Sequence, residues 1–153
     1  MAGDVYFYHM TRTPLEATLP VLLSKSLEAG WRVLVRGQDP ARMDWLDKKL
    51  WLGPEDGFLP HGLAGGAQDA DQPILLSCEA GNPHGATALV SVDGAAVDPG
   101  EIAGYQRVMI LFDGSDGDAV AHARRQWKAV SGAGHKALYW SQESGRWEKK
   151  AES

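Results

Sequence analysis

The acidic residues that follow an apolar segment near residue 110 are the first candidates for chemistry. Asp113 comes directly after Val108–Phe112, a position where phosphotransferases place a nucleophilic carboxylate. Those enzymes usually carry a second acid two residues later, and this chain has Ser115 there. A calcium loop that began at Asp113 would need a bidentate Glu at its twelfth position, which is Arg124. The pattern therefore favours a solvated loop that caps a helix, with a small α/β phosphotransferase-like enzyme using Asp113 as the alternative.

Sequence motifs for nucleotides, metals and covalent catalysis are absent. The turn His9–Pro14, after the first predicted strand, contains no glycine, whereas a bound pyrophosphate needs close backbone approach at a helix N-terminus. No G-x-x-x-x-G-K-[ST] or G-x-S-x-G segment occurs. The five histidines do not fall at spacings typical of zinc ligands. We therefore predict no cofactor, no metal and no catalytic residue.

A group on the predicted last helix is more informative. Arg124 and Lys128 are four residues apart and share one face, and they border the apolar stripe that contains Trp127. An aromatic floor flanked by two cations suits a ligand with an apolar side chain and carboxylates. The alternative is that Trp127 belongs to the core while the cations form a solvated face. Spacing alone favours this second interpretation.

A second candidate surface lies between residues 43 and 62. Met43, Leu46 and Leu50 fall on one stripe of a predicted helix, and Trp51 lies at its edge. The loop that follows is rich in Gly and Pro and carries Phe58 and Leu59. Large apolar residues on a surface loop either fold back onto the core or contact another protein. Periodicity does not distinguish these two outcomes.

Composition limits the remaining possibilities. A chain of 153 residues is long enough for one domain with a full core, and we expect a single domain over 1–153, with a possible hairpin and short tail from 141 to 153. The net charge of −5 argues against broad binding to a phosphate backbone. With one cysteine, no signal peptide and no apolar run of membrane-spanning length, the expected location is the cytoplasm.

The order of predicted elements indicates an α/β protein. Residues 4–10 and 31–36 read as strands that flank a helix, and this βαβ unit predicts two parallel strands lying side by side. Further strands are predicted at 72–78, 86–92 and 105–112, the last of them central because it is apolar throughout. The chain is predicted to close with an antiparallel hairpin. We expect a Rossmann-like three-layer sandwich with a mainly parallel, mixed sheet.

Several short segments spread along the chain form a recognisable set. They are Phe7-Tyr8, Gly30–Val35, Leu46-Asp47 with Leu50-Trp51, Phe58–His61 with Leu63–Gly65, Ala123-Arg124, and Trp127–Ala129. The most specific part is Leu-Asp-x-x-Leu-Trp followed by Phe-x-Pro-His. Together these segments resemble the chi subunit family of the bacterial DNA polymerase III holoenzyme.

This resemblance implies a non-catalytic accessory subunit that acts in DNA replication. Chi proteins belong to the clamp-loader assembly, where they bind the psi subunit in organisms that encode one. They also bind the acidic C-terminal tail of single-stranded DNA-binding protein, so their association with DNA is indirect. No membrane partner is implied.

The resemblance also assigns residues to these two partners. Trp51, Phe58 and Pro60 would face psi, with Leu59 as their neighbour. The tail of single-stranded DNA-binding protein would be held by Arg124, Trp127 and Lys128, with Arg124 on its terminal carboxylate. The resemblance gives no role to Trp45 or to residues 141–153.

Overall fold

The computed structural model describes residues 4–11, 15–51, 61–63, 73–78, 85–95, 97–141 and 147–152, with backbone only for 51 and 61–63. Its strands are β1 (Asp4–Met10), β2 (Val33–Arg36), β3 (His61–Leu63), β4 (Ile74–Ser77), β5 (Ala88–Ser91), β6 (Arg107–Asp113), β7 (Ala137–Ser141) and β8 (Glu148–Glu152). They form one eight-stranded sheet in the order β3-β4-β2-β5-β6-β1-β7-β8. The first seven strands in that order are parallel, and β8 pairs antiparallel with β7 at the edge. The predicted mixed, mainly parallel sheet is confirmed.

Helices cover both faces of this sheet. They are α1 (Leu15–Glu28), α2 (Pro40–Trp51), α3 (Pro99–Ile102) and α4 (Gly117–Gly132). Alternate residues of β2 show the division, because Val33 and Val35 pack in the cluster that contains α1 and α2, while Leu34 packs in the cluster that contains α3 and α4. The two clusters give the α/β/α sandwich that the sequence predicts.

The position of β1 corrects one prediction. β1 and β2 run parallel, as the βαβ pattern requires, but β5 and β6 lie between them in the sheet. Strand β1 instead pairs with β6 on one side and β7 on the other. The prediction that β1 and β2 are neighbours is wrong because a helix crossover constrains strand direction and leaves open how many strands are passed over.

The short helix α3 was not predicted from the sequence. Asp98 caps it by accepting a hydrogen bond from the Gly100 amide at 3.0 Å, and the Asp98 amide donates to the Glu101 carboxylate at 3.0 Å. Glu101 also forms an ion pair with the buried guanidinium of Arg36 at 2.9 Å. The reciprocal caps and the buried charge partner hold a helix that is too short to show periodicity.

Strand β6 is central, as predicted. It lies between β5 and β1 near the middle of the sheet, and its residues from Val108 to Phe112 are all buried. Because both of its faces are covered by helices, its sequence is continuously apolar. Its last residue, Asp113, is exposed at the carboxyl end of the strand, shortly before α4 begins.

Candidate functional site

The N-terminus of α4 fixes which residues this helix presents to the sheet. Asp116 caps it by accepting hydrogen bonds from the amides of Asp118 at 3.0 Å and Ala119 at 3.4 Å. From this start the helix turns Ala123 and Val130 into the core. The Asp116 cap fixes the residue at which the helix starts and so sets the rotation of the helix on the sheet.

Trp127 lies between the core and the surface. It is partly buried, with its ring centroid 5.3 Å from that of Phe7 and 6.3 Å from that of Tyr139. Phe7 and Tyr139 are direct neighbours across the β1–β7 pair, so they form an aromatic support under the helix. The interpretation of Trp127 as a core residue is therefore only partly correct, because the indole packs on the core and is still partly accessible. Its role as the floor of a ligand site stays a prediction.

The two cations that flank Trp127 are exposed. Arg124 lies three residues before it and Lys128 one residue after it, and neither forms an ion pair with another residue of the described ranges. Exposed, unpaired cations beside an accessible aromatic ring can bind carboxylates without first breaking an internal ion pair. Arg125 is also exposed on this helix.

Tyr139 is a member of this surface that sequence analysis missed. Its hydroxyl shares a hydrogen bond with Nδ1 of His9, whose ring stacks on Phe112 with centroids 5.1 Å apart. These contacts fix the Tyr139 ring beside Trp127. The alternation of residues along β7 gives each side chain a face, but only the pairing with β1 shows that this face lies under α4.

The helical part of the second predicted surface, residues 43–51, lies within the described residues. Met43, Leu46 and Leu50 are buried, which confirms the apolar stripe of α2. Trp51 is the last residue of α2, and its side chain, together with Phe58, Leu59 and Pro60, lies outside the described residues. Their assignment to a partner surface stays a prediction.

Trp45, which has no role by resemblance, has a local structural one. Its ring packs partly against the α1–α2 core cluster, and the guanidinium of Arg42 lies 4.5 Å from the ring centroid. The ammonium of Lys49 lies 5.7 Å from the same centroid. The indole therefore joins the core to two surface cations on its own helix.

A cleft of about 830 Å³ lies at the carboxyl ends of the parallel strands, where an enzyme of this architecture would bind its substrate. Its charged lining is mainly acidic: Glu16, Asp93, Asp113, Asp116 and Asp118. Among the described residues that line the cleft, Arg42 is the one Lys or Arg, and it is paired with Asp93 at 3.2 Å. Such a cleft repels phosphorylated substrates.

Asp113 itself is engaged in a turn. Its Oδ1 accepts hydrogen bonds from the Ser115 hydroxyl at 2.6 Å and from the Ser115 amide at 2.9 Å. These bonds, the hydroxyl first, lower the pKa of Asp113 below its usual value. The geometry is that of a side chain closing a turn before the helix cap, which is the interpretation that the sequence favoured.

Within the described ranges, no group of three or more His, Cys, Asp or Glu side chains is placed to hold a metal ion. In the same ranges no helix has the length and apolar character needed to cross a membrane.

Comparison with known proteins identifies the family. The model of the family described as "DNA polymerase III chi subunit, HolC" matches residues 2–137. A DNA polymerase III subunit chi from Pseudomonas aeruginosa is 30% identical over 110 residues, which cover 70% of this chain and 75% of that protein. A probable DNA polymerase III subunit chi from Rickettsia prowazekii is 28% identical over 85 residues, covering 56% of this chain and about half, 52%, of the relative. The chain belongs to the DNA polymerase III chi subunit family.

Proposed function

We propose that this chi subunit is a non-catalytic adaptor of the replicative DNA polymerase. In this role it links the clamp loader, through psi, to the acidic C-terminal tail of single-stranded DNA-binding protein. The observation that carries the proposal is the α4 surface, made of Arg124, Trp127 and Lys128. It combines an accessible aromatic ring with two exposed cations that have no internal ion-pair partner among the described residues.

The chemistry of this surface matches an acidic peptide that ends in an apolar residue. The apolar side chain would contact Trp127 above the Phe7–Tyr139 pair. The terminal carboxylate would accept hydrogen bonds from Arg124, and an upstream acid would approach Lys128. Charge-assisted bonds of this kind contribute about 1.5–3 kcal/mol each when well formed.

Calorimetry with a synthetic acidic peptide ending in an apolar residue tests the α4 surface. We expect the Arg124→Ala, Lys128→Ala double variant to bind at least about tenfold more weakly, because both carboxylate partners are lost. Raising the salt concentration or amidating the peptide terminus should also weaken binding by the wild-type chain.

Arg125→Ala is the matched control, because Arg125 is an exposed arginine of the same helix that stands away from the Trp127 stripe. It should leave the affinity within about twofold. Unchanged binding by the Arg124→Ala, Lys128→Ala variant would remove the assignment of the tail to this surface.

The psi side of the proposal rests on the family resemblance of the segment around residues 46–61. Trp51, Phe58 and Pro60 would contact psi, and Leu59 is their neighbour. The buried stripe of α2 supports this assignment, because it holds against the core the helix that ends at Trp51. A pull-down from lysate, probed for clamp-loader subunits and single-stranded DNA-binding protein, tests both partners together.

An enzyme that acts on phosphorylated substrates through Asp113 is the weaker alternative. The strand-end cleft has a suitable place and size, but five of its lining residues are acidic and its arginine is paired. A phosphate would enter a negative field there. The cleft's charge therefore favours the adaptor.

A further inference from the structure

A groove of about 650 Å³ runs between α1 and the sheet, on the face that α1 and α2 cover. Its helical wall includes Ala17, Val21 and Leu22. Its opposite wall is aromatic: Tyr8, Trp31, Trp140 and Trp147. α4 packs in the other core cluster, so this groove and the α4 surface lie on opposite faces of the sheet.

The aromatic wall is held in place by ring contacts. The ring centroids of Tyr8 and Trp147 lie 5.3 Å apart at an interplanar angle of 89°, an edge-to-face pair. Tyr6 stacks on Trp140 with centroids 6.2 Å apart. The wall therefore presents fixed rather than mobile apolar surface, which lowers the entropy lost when a ligand binds.

The helical wall carries an unusual exposed residue. Val21 is 52% exposed, and within the described ranges it is the only exposed large hydrophobic residue. Its position at the rim of an aromatic groove means that a ligand in the groove would cover it. Exposed apolar surface that is continuous with a groove is typical of a site for another protein.

The described charged residues of the groove are all of one sign. They are Lys25 and Arg107, and no acid lines the groove among the residues that the structure describes. The Arg107 guanidinium lies 4.2 Å from the ring centroid of Tyr6 and 4.9 Å from that of Trp31, so it is fixed by aromatic contacts on the sheet side. Lys25 is exposed on the helix side. A carboxylate between the walls would approach both cations.

We propose that this groove is a second docking site, for a peptide segment of a partner protein that carries a large apolar side chain next to an acidic residue. The apolar side chain fits between the aliphatic and aromatic walls, and the acid complements Lys25 and Arg107. Single-stranded nucleic acid fits less well, because two cations do not form the basic track that a phosphate backbone requires and the chain carries a net charge of −5. This site goes beyond the proposed adaptor function, since it uses none of the residues assigned to psi or to the tail.

Selection from a displayed library of random 12-residue peptides tests the site, and it is made on the full-length Arg124→Ala, Lys128→Ala variant so that the α4 surface does not select its own ligands. We expect the selected peptides to pair an acidic residue with a large apolar one. They should bind the Val21→Asp, Lys25→Glu double variant at least tenfold more weakly. The Arg124→Ala, Lys128→Ala variant should bind them within about twofold of wild type, which separates this site from the α4 surface.

Lys48→Glu is the matched charge control, because Lys48 is an exposed lysine of α2 that does not line the groove. Val21 and Lys25 are exposed, so the double variant should keep the wild-type circular dichroism spectrum. If the double variant is less stable than the wild type, the single variant Lys25→Glu replaces it in the binding measurement. Selected peptides that keep their affinity for the groove variant would overturn the proposal. A labelled oligo-dT that binds the wild type and loses affinity for the groove variant would equally replace it with a nucleic-acid site.

Discussion

Trp127 rests on two aromatic rings that come from neighbouring strands, Phe7 of β1 and Tyr139 of β7. This support fixes which part of the indole stays accessible between Arg124 and Lys128. Tyr139 is itself held by its hydrogen bond to His9. The position of the α4 residues proposed to face a ligand therefore depends on side chains supplied by two strands of the sheet.

Tyr8 provides a test of burial at the level of one residue. Burial raises its pKa from 10.0 to about 12, an effect that the positive charge of Arg107 partly offsets. The neutral phenol is favoured in the folded state, so Tyr8 contributes stability that is fully present below pH 10 and is lost as the pH rises toward 12. Between pH 9 and pH 11 the free energy of unfolding should fall by about 1 kcal/mol from this group alone.

Urea unfolding of the wild type and Tyr8→Phe at pH 9, 10 and 11 measures this contribution. The variant should lose less stability over that range than the wild type. The pKa of Tyr105 is also raised, mainly by burial, but Tyr105 is present in both proteins and its titration cancels in the comparison. Parallel pH profiles for the two proteins would show that Tyr8 does not titrate abnormally.

For single residues, sequence analysis could predict which side chains lie close together on one element. It could not predict which side chains from different elements lie close together. Arg124, Trp127 and Lys128 are found together because helical spacing brings them together. Phe7 and Tyr139 are separated by more than a hundred residues, and only the register of β1 with β7 places them under Trp127. The four aromatic residues of the groove beside α1 also come from distant parts of the sequence, so their proximity could not be predicted from spacing.

The end of α4 allows a test at the level of one element. Gly134 has φ +88°, a left-handed conformation, and its amide donates to the Ser131 carbonyl at 3.1 Å. A Cβ there would meet no heavy atom within 4 Å, so the cost of Gly134→Ala is purely one of backbone conformation. We expect a loss of about 1 kcal/mol in the free energy of unfolding.

Gly132→Ala is the matched control two residues earlier. Gly132 is the last residue of α4, and a Cβ there also meets nothing within 4 Å. Because its conformation is helical, alanine should leave stability unchanged or raise it by up to about 1 kcal/mol. Chemical unfolding that showed the two substitutions to be equivalent would contradict the assigned C-terminal geometry.

The elements themselves differ in how far sequence could predict them. Strand β6 was predicted as central because its sequence is apolar throughout, and α4 was predicted from its cap and apolar stripe. The prediction that β1 lies beside β2 was wrong, because hydrophobic periodicity indicates burial and gives no information on strand order. Helix α3 was missed because one turn has no period, although Asp98 and Glu101 form a capping box that could have indicated it.

For the whole molecule, the main consequence of the fold is that it separates surfaces. α4 lies on one face of the sheet, and the groove beside α1 lies on the other. The acidic cleft at the strand ends takes the place that enzymes of this architecture use for substrates, and its charge does not suit a phosphate. Ligands of the two proposed docking surfaces would therefore not compete for one site.

The most direct test of the adaptor function is whether this chain bridges two partners. Single-stranded DNA coated with single-stranded DNA-binding protein is immobilised, and the chain and then psi are added while binding is recorded. We predict that psi is retained only when the chain is present. Arg124→Ala with Lys128→Ala should abolish recruitment of the chain, whereas Trp51→Ala with Phe58→Ala should leave that recruitment intact and lose psi. Recruitment of the Arg124→Ala, Lys128→Ala variant at the wild-type level would contradict the account.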